Sequence, residues 1–397
     1  MRDLLTFEEA LACILERAKP LTSELVPLEQ AVGRVVAEPA RARADLPPFP
    51  SSAMDGFAVR GGETPGTLPI SARVAAGGPS PALLEPGSAA AIATGGAVPE
   101  GADTIVPIEQ AIEEDGRVRI AEPARAAAHI RPRGGDVREG EVVIAAGARL
   151  GPAQIGALAA SGVAEVRCAR RPRVSVLATG SELRAPGDRL EPGQIFESNR
   201  PMIAAVLTAS GASVESLPVV RDDETAHRNA LEQGLAADVL VSSGGVSMGP
   251  HDLVRRIAAE LGVEEMFWGV AVKPGKPLSF GLRGDTLVFG LPGNPVSSLV
   301  GALVFVRPAL NALQGAADPG PSFQVGRTKS SLRRNAHRDE FVRARREATE
   351  EEVVLEPVTG QESHMIVRAA SAEVLVHVPR GAGEIVAGGA VRYLDLA

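Results

Sequence analysis

Apolar and polar positions change rhythm three times along this chain. Leu4, Phe7, Ala10, Leu11, Ile14 and Leu15 recur at helical spacing with acidic residues between them, which predicts an amphipathic helix of a folded domain, not a signal peptide. From 26 to 172 the pattern breaks into short β-branched runs, such as 104–108 and 142–144, separated by Pro and Gly. Little helical periodicity survives there, so mostly β structure is expected. From 173 to about 314 strands, loops and helices alternate, in the order VSVLA, 201–209, ADVLVS, 252–261, TLVFG and 295–310. That alternation predicts a parallel sheet covered by helices. From about 318 onward VVLEPV and AEVLVHV alternate polar and apolar residues and predict a small β domain. No tandem repeat or low-complexity tract is seen.

The 397 residues exceed the roughly 250–300 at which one core stops growing, so several domains are expected. Composition is ordinary for a globular protein, and 43 Gly with 31 Pro adds many turns and short strands. A formal net charge of −8 argues against a nucleic-acid partner, because phosphate-dominated affinity needs a basic footprint. Any anionic ligand must then meet a local pocket. Cys13 and Cys168 lack disulfide or zinc spacing, which fits a reducing, cytoplasmic setting. The longest apolar candidate, near 299–306, falls short of the ~18–20 residues needed to cross a bilayer, so no membrane association is expected.

The chemistry gathers at loops. In 237–257, ADVLVSSGGVSMGPHDLVRRI, a buried strand ends in a Ser/Gly loop that precedes a helix. Such strand ends collect ligands in open α/β sheets, and loop N–H groups with little side-chain bulk can approach a phosphate. Asp252 serves equally well there as a helix cap. A second strand end carries Thr179, Gly180, Ser181 and Glu182, and a third carries Pro292, Gly293, Asn294 and Pro295. Each could be a plain turn; three lining one sheet edge suggest a site. In VAVKPGKPLSFG, Pro274 and Pro277 stiffen the backbone that carries Lys273 and Lys276, a rigid pair of ammonium groups suited to an oxyanion unless they are ordinary surface lysines. In the β-rich half Asp55, Thr94–Gly96 and Asp136 read, from the residues alone, as turns.

Taken in order, SAMDGFAVR, ATGGAVPEGADTIV, RPRGGDV, ATGSEL, SSGGVSMG, KPGKP and LPGNPVS, with the weaker QESHMI at 361–366, span nearly the whole chain. This set resembles the molybdopterin molybdenumtransferase family, represented by bacterial MoeA and the E domain of gephyrin. The resemblance implies a multidomain α/β plus β fold. Residues 1–45 and 147–172 would form a helical and extended domain, 46–146 an inserted β-rich domain, 173–317 the α/β molybdopterin-binding domain and 318–397 a small β domain. It also implies an elongated homodimer that inserts molybdate into adenylylated molybdopterin with release of AMP, using Mg2+, and other proteins of molybdenum cofactor synthesis as partners.

Carried onto matching positions, the resemblance singles out Asp55, Asp136, Glu182, Asp222 and Asp252 as the acidic set, since cleaving a phosphoanhydride requires charge neutralisation and magnesium takes a few carboxylates. Asp222 and Asp252 are assigned to the metal and water near the phosphate, and Glu182 to ligand at the sheet edge. Thr179, Gly180, Ser181, Ser243, Gly244, Gly245, Ser247, Lys273, Lys276 and the turn Pro292, Gly293, Asn294, Pro295 would hold the anionic groups. Asp55 with Thr94, Gly95 and Gly96 would close the site, and the resemblance puts them on the other protomer. Two departures stand out. ESN at 197–199 replaces a common Asp-Ser-Asn, and Gly269 sits where some relatives carry lysine. Two rivals remain: the adenylyltransferase that shares the α/β module, which lacks the β-rich half, and a non-catalytic scaffold, against which the five acidic positions argue.

Overall fold

The computed structural model describes residues 4–79, 82–245, 253–348 and 352–396. The N-terminal helix spans Phe7–Arg17, beginning at a capping box in which Glu9 N–H donates to Thr6 Oγ1 and Thr6 N–H to Glu9 Oε2. Two orphan donors are thereby satisfied. Eleven residues are marginal as an isolated helix; burial of Phe7, Ala10 and Ile14 in the central core holds it, at about 1.5–3 kcal/mol for each large side chain. Leu4 and Leu5 precede the helix, and Leu5 bridges to Val270.

The chain then pairs with itself across a long insertion. Ser23–Pro27 lies antiparallel to Glu165–Ala169, and Ala40–Arg41 to Val142–Ile144. Between these ladders a six-stranded sheet runs in the order Thr104–Pro107, Gly56–Val59, Ala89–Ile92, Gly66–Val74, Arg117–Ile120, Ala111–Glu114.

The central sheet also has six strands, in the order Ser213–Ser216, Arg173–Ala178, Val239–Ser243, Thr286–Leu291, Ser279–Arg283, Glu264–Trp268. The first four are parallel, as the alternating pattern predicts. The last two are antiparallel, so the sheet is mixed. The reason is local: only Gly284 and Asp285 separate Ser279–Arg283 from Thr286–Leu291, and a two-residue link can join strands only as a hairpin, whereas a parallel crossover needs about a dozen residues.

The apolar run near 299–306 is longer than its sequence suggested. Helical structure is continuous from Pro295 to Leu313, and this segment is long and apolar enough to cross a membrane, with mean hydropathy 1.6. It is 83% buried inside the protein, which makes it the core helix against which the central sheet packs; a helix apolar on most of its faces is what such a position requires.

At the C-terminal end Asp339–Ala348, Val353–Pro357, Gln324–Thr328, Ala390–Asp395 and Val374–Val378 pair in that order, and the last pairs back to the first. The result is a closed five-stranded barrel. Val272–Lys273 of the central region adds to it through Asp339 and Glu340. The Phe7 ring makes edge contacts with Phe305 and Phe341, at 5.6 and 5.3 Å between centroids, tying helix, core and barrel together.

Candidate functional site

Three strand ends of the central sheet converge. Thr179 N–H donates to Ser243 O at 3.1 Å and Gly244 N–H to Leu291 O at 3.1 Å, so each strand hands its first loop residue to the next. Gly244 has φ +91, and a Cβ on it would lie 2.8 Å from the Thr179 carbonyl oxygen. Only glycine fits both the left-handed backbone and that approach. A Cβ on Gly293 would meet Gly244 Cα at 3.9 Å, so the two glycines face each other. Gly180 is also left-handed in φ, and the Glu182 carboxylate folds back over it, within 2.6 Å of where a Cβ would be.

Hydroxyls and one amide pin this edge. Ser243 is buried; its hydroxyl donates toward Pro292 O at 3.3 Å and lies 3.2 Å from Ser298 Oγ. Asn199 Nδ2 donates to both Ser243 Oγ (2.8 Å) and Gly293 O (2.7 Å), joining two of the three strand ends. Glu197 supports the same helix entry: its Oε1 accepts from Arg200 N–H at 2.7 Å. The helix therefore starts at Asn199 rather than at the proline two residues on, with the Glu197 carboxylate serving as its cap. Asn199 is a residue that sequence reasoning missed, although the ESN segment flagged its neighbourhood.

On the same rim Asp222 and Ser181 bind reciprocally. Asp222 N–H donates to Ser181 Oγ at 3.0 Å and Ser181 N–H to Asp222 Oδ2 at 3.3 Å, both residues being exposed. Together with Glu182 they bring two carboxylates to the mouth of the cradle. Asp252 and Ser247 lie outside the described residues.

The two lysines differ. Lys273 Nζ is 3.1 Å from Glu340 Oε1 of the barrel, with which its backbone is also in register. Lys276 is exposed, and its carbonyl accepts from Val270 and Leu278. At Gly269, φ is +87 and a Cβ would fall 2.6 Å from Leu4 Cδ2, so the N-terminal segment packs directly over this glycine. The barrel reaches the third strand end too. Arg343, fully buried, donates to the carbonyls of Met365 (3.0 Å) and Gly360 (2.8 Å) and shares Gln361 Oε1 with its own N–H. The segment so held offers Ser363 O to Val296 N–H at 3.0 Å, at the start of the helix after Pro292–Pro295. Nothing in the weak QESHMI motif announced Arg343.

In the β-rich region Thr94 N–H (2.6 Å) and Thr94 Oγ1 (3.0 Å) both donate to Asp55 Oδ1. These bonds, the backbone one first, hold the Asp55 carboxyl below the usual carboxylate range. Gly95 N–H and Gly96 O bond Ser52, which closes the turn. Asp136 is exposed and its N–H donates to Leu46 O. Among the described residues, the hydrogen bonds of Asp55, Thr94 and Asp136 stay inside 46–146, so within one chain they are not joined to the strand-end cradle.

One further cluster has metal-ligand composition. Glu8, Asp339 and His377 bring ligand atoms within 4.8 Å of one another. However, Arg392 Nη2 meets His377 Nδ1 at 3.0 Å and Asp339 Oδ1 meets Nε2 at 3.1 Å. A permanent cation donating to Nδ1 assigns the ring proton to Nε2, aimed at Asp339, and leaves no lone pair for a metal. The cluster is a buried hydrogen-bonded tie between barrel strands. Burial pushes the His377 pKa down, with Asp339 opposing it.

Three family models match the chain in order: the MoeA N-terminal region (domain I and II) over 5–162, a probable molybdopterin binding domain over 175–312, and the MoeA C-terminal region (domain IV) over 325–396. The chain is 36% identical to molybdopterin molybdenumtransferase 2 of Mycobacterium tuberculosis, covering 100% of both. It is 37% identical to the molybdopterin molybdenumtransferase of Haemophilus influenzae over 79% of this chain and 78% of that one. The crystal structure of the molybdopterin biosynthesis moeA protein from Pyrococcus horikoshii OT3 superposes with a TM-score of 0.86 at 26% identity, covering 99% of this chain and 100% of that one.

Proposed function

Because the chain belongs to the molybdopterin molybdenumtransferase family and so serves molybdenum cofactor biosynthesis, we propose that it releases AMP from adenylylated molybdopterin, with magnesium, as molybdate is inserted. The observation that carries this reading is the cradle at 179–181, 243–245 and 292–295. Its backbone groups and hydroxyls are held in place before any ligand arrives, the preorganisation that charge stabilisation at a phosphoanhydride demands. Asp222 fits a magnesium ion at its mouth, with Glu182 beside it to hold ligand at the sheet edge. Asp222 Oδ2 receives one long N–H bond, which leaves oxygen lone pairs open for a hard cation that keeps several waters. Asp222 with Asp252 would hold that ion, whose contribution when bound is to neutralise phosphate charge. Lys276 meets phosphate first, while Lys273 is shared with Glu340.

The acidic set is divided between two chains of a cytoplasmic homodimer. Exposed apolar side chains flank both halves: Phe49 and Met54 beside Asp55, and Leu190, Ile195 and Phe196 on the arm that follows Glu182. Apolar surface next to exposed carboxylates is what a contact between protomers would cover.

AMP release by the purified protein, given adenylylated molybdopterin, molybdate and magnesium, tests the reaction. A folded Asp252→Asn chain that turns over normally would return Asp252 to a helix cap. For the shared site, inactive Asp55→Ala and Asp252→Ala chains are co-expressed and the mixed dimer purified. One clean cleft should restore about half of the wild-type turnover per dimer; no recovery sinks the two-chain arrangement.

A further inference from the structure

A second cleft, of about 360 Å3, lies where three parts of the chain meet and shares no lining residue with the strand-end cradle. Arg149 enters it from beside the N-terminal ladder, Arg307 and Asn311 from the apolar core helix, and Gln324 and Asp395 from the barrel. Arg307 and Asn311 are four residues apart and therefore share a helix face. Arg149 Nη2 donates to Asn311 Oδ1 at 2.9 Å, and its Nη1 to Gly33 O at 2.7 Å. That bond fixes a second guanidinium one helical turn from the first.

Arg307 is the unbalanced member. It is only partly exposed, and among the described residues its guanidinium makes no hydrogen bond or ion pair. Partial burial lowers the pKa of Arg307, yet a guanidinium cannot shed its proton, so a half-buried charge with no ion pair is left to attract an anion. Asp395 is the acid that acts on Arg307. Both of its oxygens are engaged elsewhere, Oδ1 by Arg346 Nη1 at 2.9 Å and Oδ2 by Gln324 Nε2 at 3.1 Å. Asp318 lines the same cleft from an exposed position.

We propose that this cleft is a phosphate site, in which Arg307 forks onto the phosphate group of inorganic phosphate or of a small phosphomonoester and Arg149 supplies the second positive charge. A planar guanidinium offers two parallel N–H donors to such a group, and the volume admits a phosphate with a short organic tail. Because the lining comes from three regions, the bound anion clasps the N-terminal ladder, core helix and barrel together, and occupancy raises the unfolding temperature.

Inorganic phosphate is titrated calorimetrically into the full chain at fixed ionic strength, chloride balancing. The cradle takes phosphate as well, so two binding events per chain are expected. Arg307→Gln should lose one of them together with its share of the phosphate-induced rise in unfolding temperature. Lys276→Ala should keep that one and weaken the other. Arg307→Lys, which retains charge without the fork, should bind about tenfold more weakly at the cleft. Glycerol 1-phosphate in a parallel titration identifies the source: tighter binding than inorganic phosphate, lost in Arg307→Gln, assigns the cleft to a phosphomonoester. An Arg307→Gln titration indistinguishable from wild type overturns the proposal. So does cleft binding that emerges only in Asp318→Asn, for then Asp318 is the native partner of Arg307.

Discussion

The strand-end cradle and the barrel junction are both polar, yet they are built in opposite ways. The cradle at 179–181, 243–245 and 292–295 is made of backbone groups, glycines and hydroxyls, and its carboxylates stand in solvent. The junction buries charged side chains and pairs most of their polar atoms internally: Arg343 binds the carbonyls of one segment, and His377 sits between Asp339 Oδ1 and Arg392, with Asp339 Oδ2 left unpaired. The lesson concerns where binding capacity lies. A buried charge satisfied from within is a tie between elements, whereas exposed groups already fixed in position are available to something from outside.

If that distinction holds, the largest single effect on stability comes from the junction. Arg343→Met strands several buried acceptors at about 1–3 kcal/mol each, so a loss of about 3 kcal/mol or more is expected in urea unfolding. Weaker amide protection at Val296, whose N–H depends on Ser363 O, would trace the damage to the cradle. Equal stability of Arg343→Met and wild type would break the comparison.

A smaller structural cost with a larger functional one is expected from Gly244→Ala. The left-handed backbone costs about 1–2 kcal/mol, and the overlap with Thr179 O must spread two strand ends apart. AMP release should fall more than tenfold while the protein stays folded, as read by turnover beside thermal unfolding.

The smallest effect sharpens the junction side. His377 has a depressed pKa, so the unfolded chain takes up its proton first as pH falls. The stability it contributes is therefore fully present above the ordinary histidine range and is lost as pH drops below it through the folded value. Unfolding temperature should decline across that acid window, and His377→Gln should flatten the decline. An unchanged slope in the variant would remove His377 from the account.

Much of this could be read in the residues. Helical spacing announced Phe7–Arg17, the strand and helix alternation announced the parallel part of the central sheet, and the Gly/Ser and Pro-bracketed loops announced the three strand ends. These are local signals, since period and turn chemistry act over a few neighbours. Gly284-Asp285 was equally local and marked the hairpin that makes the sheet mixed, but a search for alternation passes over a two-residue link.

What the sequence by itself determined is the set of elements and the inventory of polar loops. Only the tertiary structure decided which polar groups are spent. Lys273 and Lys276 look alike in KPGKP, and the barrel claims one of them through Glu340, 67 residues further on. Arg343 and Arg307 look alike as arginines between apolar neighbours, and one is saturated by a folded-back segment while the other opens into a cleft. The same holds for the apolar stretch from Pro295 to Leu313, which composition alone would allow in a bilayer and packing buries in a core. The physical reason is common to all three: the energy of a charge or an apolar surface depends on what lies within a few ångströms of it, and those neighbours arrive from distant parts of the chain.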